Sequence, residues 1–244
     1  MIFPFFKKKK LLDIKPLKVD IHSHLIPYID DGAKSIEDSI SLINALKSLG
    51  YKKLITTPHI MSDAYRNDAT NIYEGLNLLK QRVIQEKIDI DIDVGAEYYL
   101  DDGFLDKIKS KGVMAINDRY VLFETSYLSK PILIEDMIFA ISSEGYIPIM
   151  AHPERYRYVK DLSKEYKRFK DLGVMFQCNI NSFAGYYGND AKQKALFLSQ
   201  NGMIDFLGSD LHHIKQIEAL AKVIQTDVYK AIFETNDIKN DKLF

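Results

Sequence analysis

Two histidines stand two residues apart in Val19-Asp20-Ile21-His22-Ser23-His24, directly after an apolar stretch. In extended chain, residues i and i+2 point the same way, so one cation can take both imidazoles. Alone the pair is a weak signal, because two surface histidines on a loop look identical in sequence. The remaining histidines strengthen it. His59 ends Thr56-Thr57-Pro58-His59, His152 opens His152-Pro153-Glu154-Arg155, and His212-His213 follow Gly208-Ser209-Asp210-Leu211. Acidic residues occupy comparable places in Asp30-Asp31-Gly32, Gly95-Ala96-Glu97 and Phe123-Glu124. Carboxylates gathered without compensation repel one another and lose solvation, a cost that cations remove. The candidate donors outnumber the roughly four of a single zinc site, which predicts two or three ions. Mixed imidazole and carboxylate donors suit manganese, iron or zinc, with magnesium as a further option.

Arg155 lies three residues after His152. Beside a cation cluster the natural ligand is an anion, and a guanidinium matches phosphate oxygens in a fork. Arg66, in the loop after His59, is a second candidate for the same contact. The expected chemistry is phosphoryl transfer to water. Paired cations acidify a shared water, which attacks phosphorus as hydroxide, while the cations and Arg155 spread the charge of the transition state. A third ion, or His59, can stabilise the departing oxygen, and Asp210 completes the expected catalytic set with Arg155. Cysteine-based catalysis is excluded: a Cys-x5-Arg loop needs arginine six residues after Cys178, where Ala184 stands. Cys178 reads as a small core residue. Ser209 lies outside a G-x-S-x-G elbow.

These residues need a scaffold that brings distant segments together. Apolar, β-rich runs recur at 17–21, 53–57, 88–96, 120–124, 147–151, 174–179 and 204–207. Helical patterns separate them, at 35–50 (Ser35 as the cap, Gly50 as the stop), 69–86, 131–145, 160–172, 190–201 and 215–233. A short helix is expected within 101–112. Strand–helix alternation implies a parallel sheet. Ile147-Pro148-Ile149-Met150-Ala151 is apolar on both faces, as buried parallel strands are. No glycine-rich phosphate loop follows the first strand, which weakens an open nucleotide-binding sheet. The expectation is an α/β fold, a distorted seven-stranded (β/α)7 TIM-like barrel. All the chemistry then falls at strand C-terminal ends, where such barrels carry their active sites.

The chain has 244 residues, 46% of them hydrophobic, a net charge of -1 and one cysteine. This fits one domain over residues 17–244, excludes a disulfide framework and gives no global field for nucleic acid. No run is long and apolar enough to span a bilayer. Residues 1–16, beginning Met1-Ile2-Phe3-Pro4-Phe5-Phe6-Lys7-Lys8-Lys9-Lys10, read as a flexible basic and aromatic tail. Such a tail can add a weak contact to an anionic membrane. The expected location is cytoplasmic, at or near the inner membrane face.

The ordered motifs resemble the PHP (polymerase and histidinol phosphatase) superfamily, and within it the metal-dependent protein-tyrosine phosphatases of bacterial capsule and exopolysaccharide operons. The residues carrying this are 20–32 (DIHSHLIPYIDDG), 56–59 (TTPH), 95–97 (GAE), 123–124 (FE), 151–156 (AHPERY) and 208–212 (GSDLH). The resemblance implies a trinuclear site, usually assigned manganese. His22, His24, Glu97 and Asp210 would hold one ion, Glu97, Glu124 and His152 the second, and Asp31, His59 and His212 the third. Arg155 matches the phosphate-contacting arginine. The implied substrate is phosphotyrosine at the tail of a membrane tyrosine kinase. Tyr28 departs from the pattern, standing where glycine is common. The alternatives are a small-molecule phosphomonoesterase acting on histidinol phosphate or a sugar phosphate, and a metal-holding docking protein without turnover.

Overall fold

The architecture is that of a computed structural model, which describes residues 17–110 and 112–244. The expectations for residues 1–16 lie outside the described residues. Nine strands form: β1 (Val19–Asp20), β2 (Lys53–Thr56), β3 (His59–Ile60), β4 (Asp91–Val94), β5 (Glu97–Tyr99), β6 (Tyr120–Glu124), β7 (Ile147–Ala151), β8 (Met175–Asn179) and β9 (Phe206–Gly208). Eight α-helices accompany them: α1 (Ile36–Ser48), α2 (Ala69–Gln85), α3 (Phe104–Lys109), α4 (Ile134–Ser143), α5 (Leu162–Asp171), α6 (Asn189–Gln200), α7 (Gln216–Val223) and α8 (Asp227–Thr235). Every strand pairing is parallel.

The seven strands expected become nine, in two sheets ordered β1-β2-β4 and β3-β5-β6-β7-β8-β9. Among the described residues no closed seven-stranded ladder forms. The two added strands, β3 and β5, lie just beyond the expected runs at 53–57 and 88–96. Pro58 follows β2 and has no N–H for a ladder. Beside it the chain breaks at Gly95-Ala96, where a Cβ on Gly95 would lie 2.6 Å from Ile116 Cγ1. The ends of the first and last strands meet at one isolated bridge, Ser23 to Leu211. The His24 N–H donates to Leu211 O at 3.0 Å, and the Asp210 N–H to His22 O at 2.8 Å.

The strands are buried on both faces. Val19, Ile21, Ile55, Leu122, Ile149, Ala151 and Phe206 form one cluster built almost wholly from strands. Val121, Phe123 and Met150 face the other way, into the larger cluster shared with the helices. Leu122 and Glu124 share a face of β6 by the two-residue period, so Glu124 sits at the end of the strand-lined core. Capping side chains set the helix starts. Ser35 accepts from the Asp38 N–H, and Asp68 forms a reciprocal box with Asn71. The single helix expected over 215–233 is divided, because Thr226 caps a new helix by accepting from the Tyr229 N–H. Among the described residues no helix is long and apolar enough to cross a membrane.

Candidate metal centre

The C-terminal ends of the strands carry five histidines into one volume. His22 and His24 follow β1, His59 starts β3 after Pro58, His152 follows β7, and His212 lies just past β9. Glu97 begins β5, Glu124 ends β6, and Asp210 stands two residues after β9. All but Asp31 are largely buried. His22, His24 and Glu97 have no exposed surface, and Asp31 reaches in from a half-exposed loop. The backbone is held away from its relaxed form at two of these positions. His152 has φ 33° and Asp210 has φ 48°, both left-handed for non-glycine residues. Such strain persists where the surrounding structure imposes it, typically at functional sites.

Glu97 is the hub. Its Oε2 lies 3.2 Å from His22 Nε2, 3.5 Å from His24 Nε2 and 3.1 Å from His59 Nδ1. Its Oε1 lies 2.9 Å from His152 Nε2. Asp210 Oδ1 approaches the first pair from another side, 3.5 Å from His22 Nε2 and 3.6 Å from His24 Nε2. Glu124 lies 3.3 Å from His59 Nδ1 and 3.8 Å from His152 Nε2. Asp31 Oδ1 is 3.5 Å from both His59 Nε2 and His212 Nε2. Four overlapping groups have donor atoms close enough for one cation each: His24-Asp31-His59-His212, His22-Glu97-His152, His22-His24-Asp210 and His59-Glu97-Glu124. All nine positions expected as ligands fall in these groups. The grouping differs from the implied partition at several residues: His22 also joins Glu97 and His152, and Glu124 groups with His59 rather than with His152. His24 joins the Asp31 group as well as the Asp210 group. His59 presents Nδ1 to Glu97 and Glu124 while its Nε2 faces Asp31.

This donor set fits cations. The buried Nδ1 atoms of His59 and His152 have no hydrogen-bond partner, although His59 Nδ1 lies near two carboxylates. Close donors without hydrogen-bonding geometry are what a ligand set leaves when the shared ion is not counted. The electrostatics agree. Burial pulls His22 down, but Glu97 and Asp210 outweigh it and raise it to about 9. Burial likewise opposes the rise of His59 to about 10, driven by Glu97 and Glu124, and of His212 to about 9, driven by Asp31 and Asp210. Burial also disfavours the Glu97, Asp210 and Asp31 carboxylates, yet the facing imidazoles hold all three below the usual carboxylate range. The carboxylates demand positive charge; protons supply it when cations do not.

Arg155 lies on the rim of this cluster. Its Nη1 donates to Asp210 Oδ2 at 3.0 Å. The guanidinium carbon lies 4.4 Å from the ring centre of Tyr127 and 4.3 Å from that of Tyr187. A cation between two aromatic rings is held electrostatically and sterically. The Tyr127 and Tyr187 hydroxyls point on to Glu124 Oε2 and Asp210 Oδ2, each at 3.4 Å. Beyond Arg155 an open groove of about 520 Å³ runs past Tyr127, Arg157, Tyr187 and Asn189. Arg66 is exposed, and its Nε donates to Ser62 O at 2.8 Å within its own loop. Among the described residues no hydrogen bond or ion pair joins Arg66 to the cluster. The sixth histidine, His213, is also exposed, with its ring edge against His212. Cys178 is fully buried and its thiol is pushed up by burial, as a core residue.

Several contributing residues escaped the sequence reading. Asp30 Oδ2 accepts from His24 Nδ1 at 2.8 Å and from the His59 N–H at 3.2 Å, and its Oδ1 accepts from the Gly32 N–H. Asp30 thus orients His24 with Nε2 toward the cluster. The Asp30-Asp31 doublet was the available signal, since one acid was left without a role. Gln177 Oε1 accepts from His22 Nδ1 at 2.6 Å. Tyr127, Tyr187 and Gln177 carry no motif, and only the tertiary fold brings them in.

The profile of the capsular polysaccharide synthesis CpsB/CapC family matches residues 18–238. The chain is 30% identical over 198 residues to tyrosine-protein phosphatase YwqE of Bacillus subtilis strain 168, covering 81% of this chain and 78% of the relative. It is 31% identical over 230 residues to CapC of Staphylococcus aureus, covering 92% and 90% respectively. Its fold superposes on a crystal structure described under YwqE from Bacillus subtilis and CpsB from Streptococcus pneumoniae, unique metal-dependent tyrosine phosphatases. The TM-score is 0.78 at 28% identity, over 88% of this chain and 91% of that one.

Proposed function

The chain belongs to the CpsB/CapC family of capsular polysaccharide synthesis, and on that premise we propose that it is a metal-dependent phosphotyrosine-protein phosphatase. The observation that carries this reading is the gathering of five imidazoles and four carboxylates in one cluster, four of the imidazoles around Glu97, with Arg155 at the rim. The relatives named as tyrosine phosphatases support the substrate class.

In this reading His22, His24, Glu97 and Asp210 hold one cation, Glu97, Glu124 and His152 a second, and Asp31, His59 and His212 a third. Manganese is the first candidate, with iron, zinc and magnesium as substitutes. When bound, such ions supply Lewis acidity toward the phosphoryl oxygens and toward an attacking water. The protein's own groups do the rest. Arg155 takes phosphoryl oxygens with the donors not used by Asp210, and it stabilises charge that grows in the transition state. Tyr127 and Tyr187 keep its plane fixed, so little reorganisation is needed when substrate arrives. Asp30 holds His24, and the buried Glu97 orders four imidazoles around one carboxylate. His59, reaching two of the groups, is assigned the stabilising of the departing phenolic oxygen. Arg66 is assigned to the substrate's polypeptide flank, which suits its exposed loop.

We further read the two sheets as one distorted barrel of seven strand paths in a single domain over residues 17–244, with β3 continuing β2 and β5 continuing β4. The Ser23–Leu211 bridge supports this. The proposed substrate is the tyrosine-phosphorylated tail of a membrane kinase, met on the cytoplasmic face, with residues 1–16 as a weak membrane contact. The open groove beside Arg155 favours an extended chain over a small metabolite. The test compares kcat/KM with manganese for a phosphotyrosyl peptide, histidinol phosphate and a sugar phosphate. A preference for the peptide supports the reading. A preference for either small phosphate overturns it.

A further inference from the structure

A line of buried amides joins the two sides of the centre. His22 Nδ1 lies 2.6 Å from Gln177 Oε1, Gln177 Nε2 lies 2.9 Å from Asn179 Oδ1, and Asn179 Nδ2 lies 2.6 Å from Asp210 Oδ2. All four side chains are buried. Amide oxygen and nitrogen look alike, and the orientation of each must come from its partners. Here the partners leave one solution. An ionised Asp210 only accepts, so Asn179 must turn its NH2 toward it. The Asn179 oxygen then faces Gln177, which must donate with its own NH2. The Gln177 oxygen is thereby turned to His22. A second contact agrees independently: the His152 backbone N–H, which can only donate, lies 3.4 Å from the same Gln177 oxygen. His22 Nδ1 must therefore carry a proton, which leaves Nε2, the nitrogen turned toward Glu97 and Asp210, as the one that can give up its proton to a cation.

We propose that Gln177 is a positioning residue that fixes the tautomer of His22, with the direction of the relay set by Asp210 through Asn179. The proposal rests on His22 being a metal ligand. It explains an uncharged amide where metal-bound histidines more often meet a carboxylate or a carbonyl. A glutamate at 177 would present an acceptor to His22 but would also confront Asn179 Oδ1 with a second acceptor. Packing reinforces the arrangement. A Cβ on Gly208 would lie 2.5 Å from Gln177 Nε2 and 2.9 Å from His22 Cβ, so glycine there is what leaves room for the amide beside His22.

The test measures manganese affinity by calorimetry in the wild type and in Gln177→Met, Gln177→Glu and His22→Ala, with thermal melts on each. Gln177→Met keeps chain length and loses the acceptor; its affinity should fall roughly 10- to 100-fold. Gln177→Glu keeps the acceptor and should stay nearer wild type than Gln177→Met. A residue that only packs would give the reverse order, because methionine fills the site and glutamate buries a charge. Wild-type affinity in Gln177→Met, or the reverse order, overturns the proposal. His22→Ala separates the two levels. Undiminished binding there removes the ligand assignment, whereas a loss there with none in Gln177→Met removes only the relay. Should neither Gln177 variant fold, nitrogen-15 NMR of the zinc-loaded wild type decides. A protected proton on His22 Nδ1 supports the relay, and a proton on Nε2 overturns it.

Discussion

Arg155 donates to Asp210 Oδ2 at 3.0 Å, while Asp210 Oδ1 faces His22 and His24, so one carboxylate links the arginine at the rim to the imidazole cluster. Two aromatic faces keep the guanidinium in that position. Arg155→Ala should therefore retain its metal and lose transition-state stabilisation, lowering kcat/KM by roughly 10²-fold or more. Arg155→Lys should recover little, because an ammonium neither stacks between rings nor offers a fork. Steady-state kinetics beside metal analysis check this. Unchanged kinetics in Arg155→Ala would remove its role.

Glu97 touches four imidazoles, and no other carboxylate in the centre does so. Glu97→Ala should deplete bound metal more than His152→Ala or His59→Ala, with affinity down by at least roughly 100-fold, the upper range for losing a mere supporting contact. Metal content after dialysis reads this out. Normal content in Glu97→Ala would show that the hub is not a ligand.

Protons and cations compete for the same imidazoles. His22 and His212 are raised to about 9 and His59 to about 10, above the ordinary histidine value of about 6.5. The metal-free fold thus binds more protons than the unfolded chain across this window. Their stabilising contribution is complete below about 6.5 and disappears as pH rises through 9 to 10. Melting of the metal-free protein should fall over that range, while manganese affinity should rise with proton release. Melts and calorimetry at several pH values test this. Affinity independent of pH between about 7 and 9 would contradict it.

Gly32 is needed for space. A Cβ there would overlap the His24 carbonyl and the His24 Cβ. Gly32→Ala should destabilise the fold by about 1–3 kcal/mol and disturb His24 together with its Asp30 contact. Reduced metal content with a lowered Tm is the expected pair of results, and a wild-type melt with full metal would refute it.

The sequence revealed much of this where local pattern and tertiary role coincide. The runs at 120–124 and 147–151 became β6 and β7 without change, because strands buried on both faces are apolar throughout. The nine candidate ligand positions were readable because histidine and acid at strand ends have few other reasons to gather, and the structure brings all nine together. Legibility failed where one contact overrides pattern. The short strands β3 and β5, just past Pro58 and Gly95, lie beyond the apolar runs at 53–57 and 88–96. Thr226 restarts a helix inside a helical pattern. Tyr127 and Tyr187 are ordinary tyrosines until the fold brings Arg155 against both rings, and Asp30, beside the expected Asp31, has no role until it faces His24.

The central claim is that this chain hydrolyses phosphotyrosine only with cations held by the Glu97-centred cluster. The direct measurement is phosphate release from a phosphotyrosyl peptide as manganese is titrated into chelator-stripped protein. The account predicts no release from the stripped protein and recovery that saturates with bound manganese. Release that persists after stripping, or that no divalent metal restores, would contradict it.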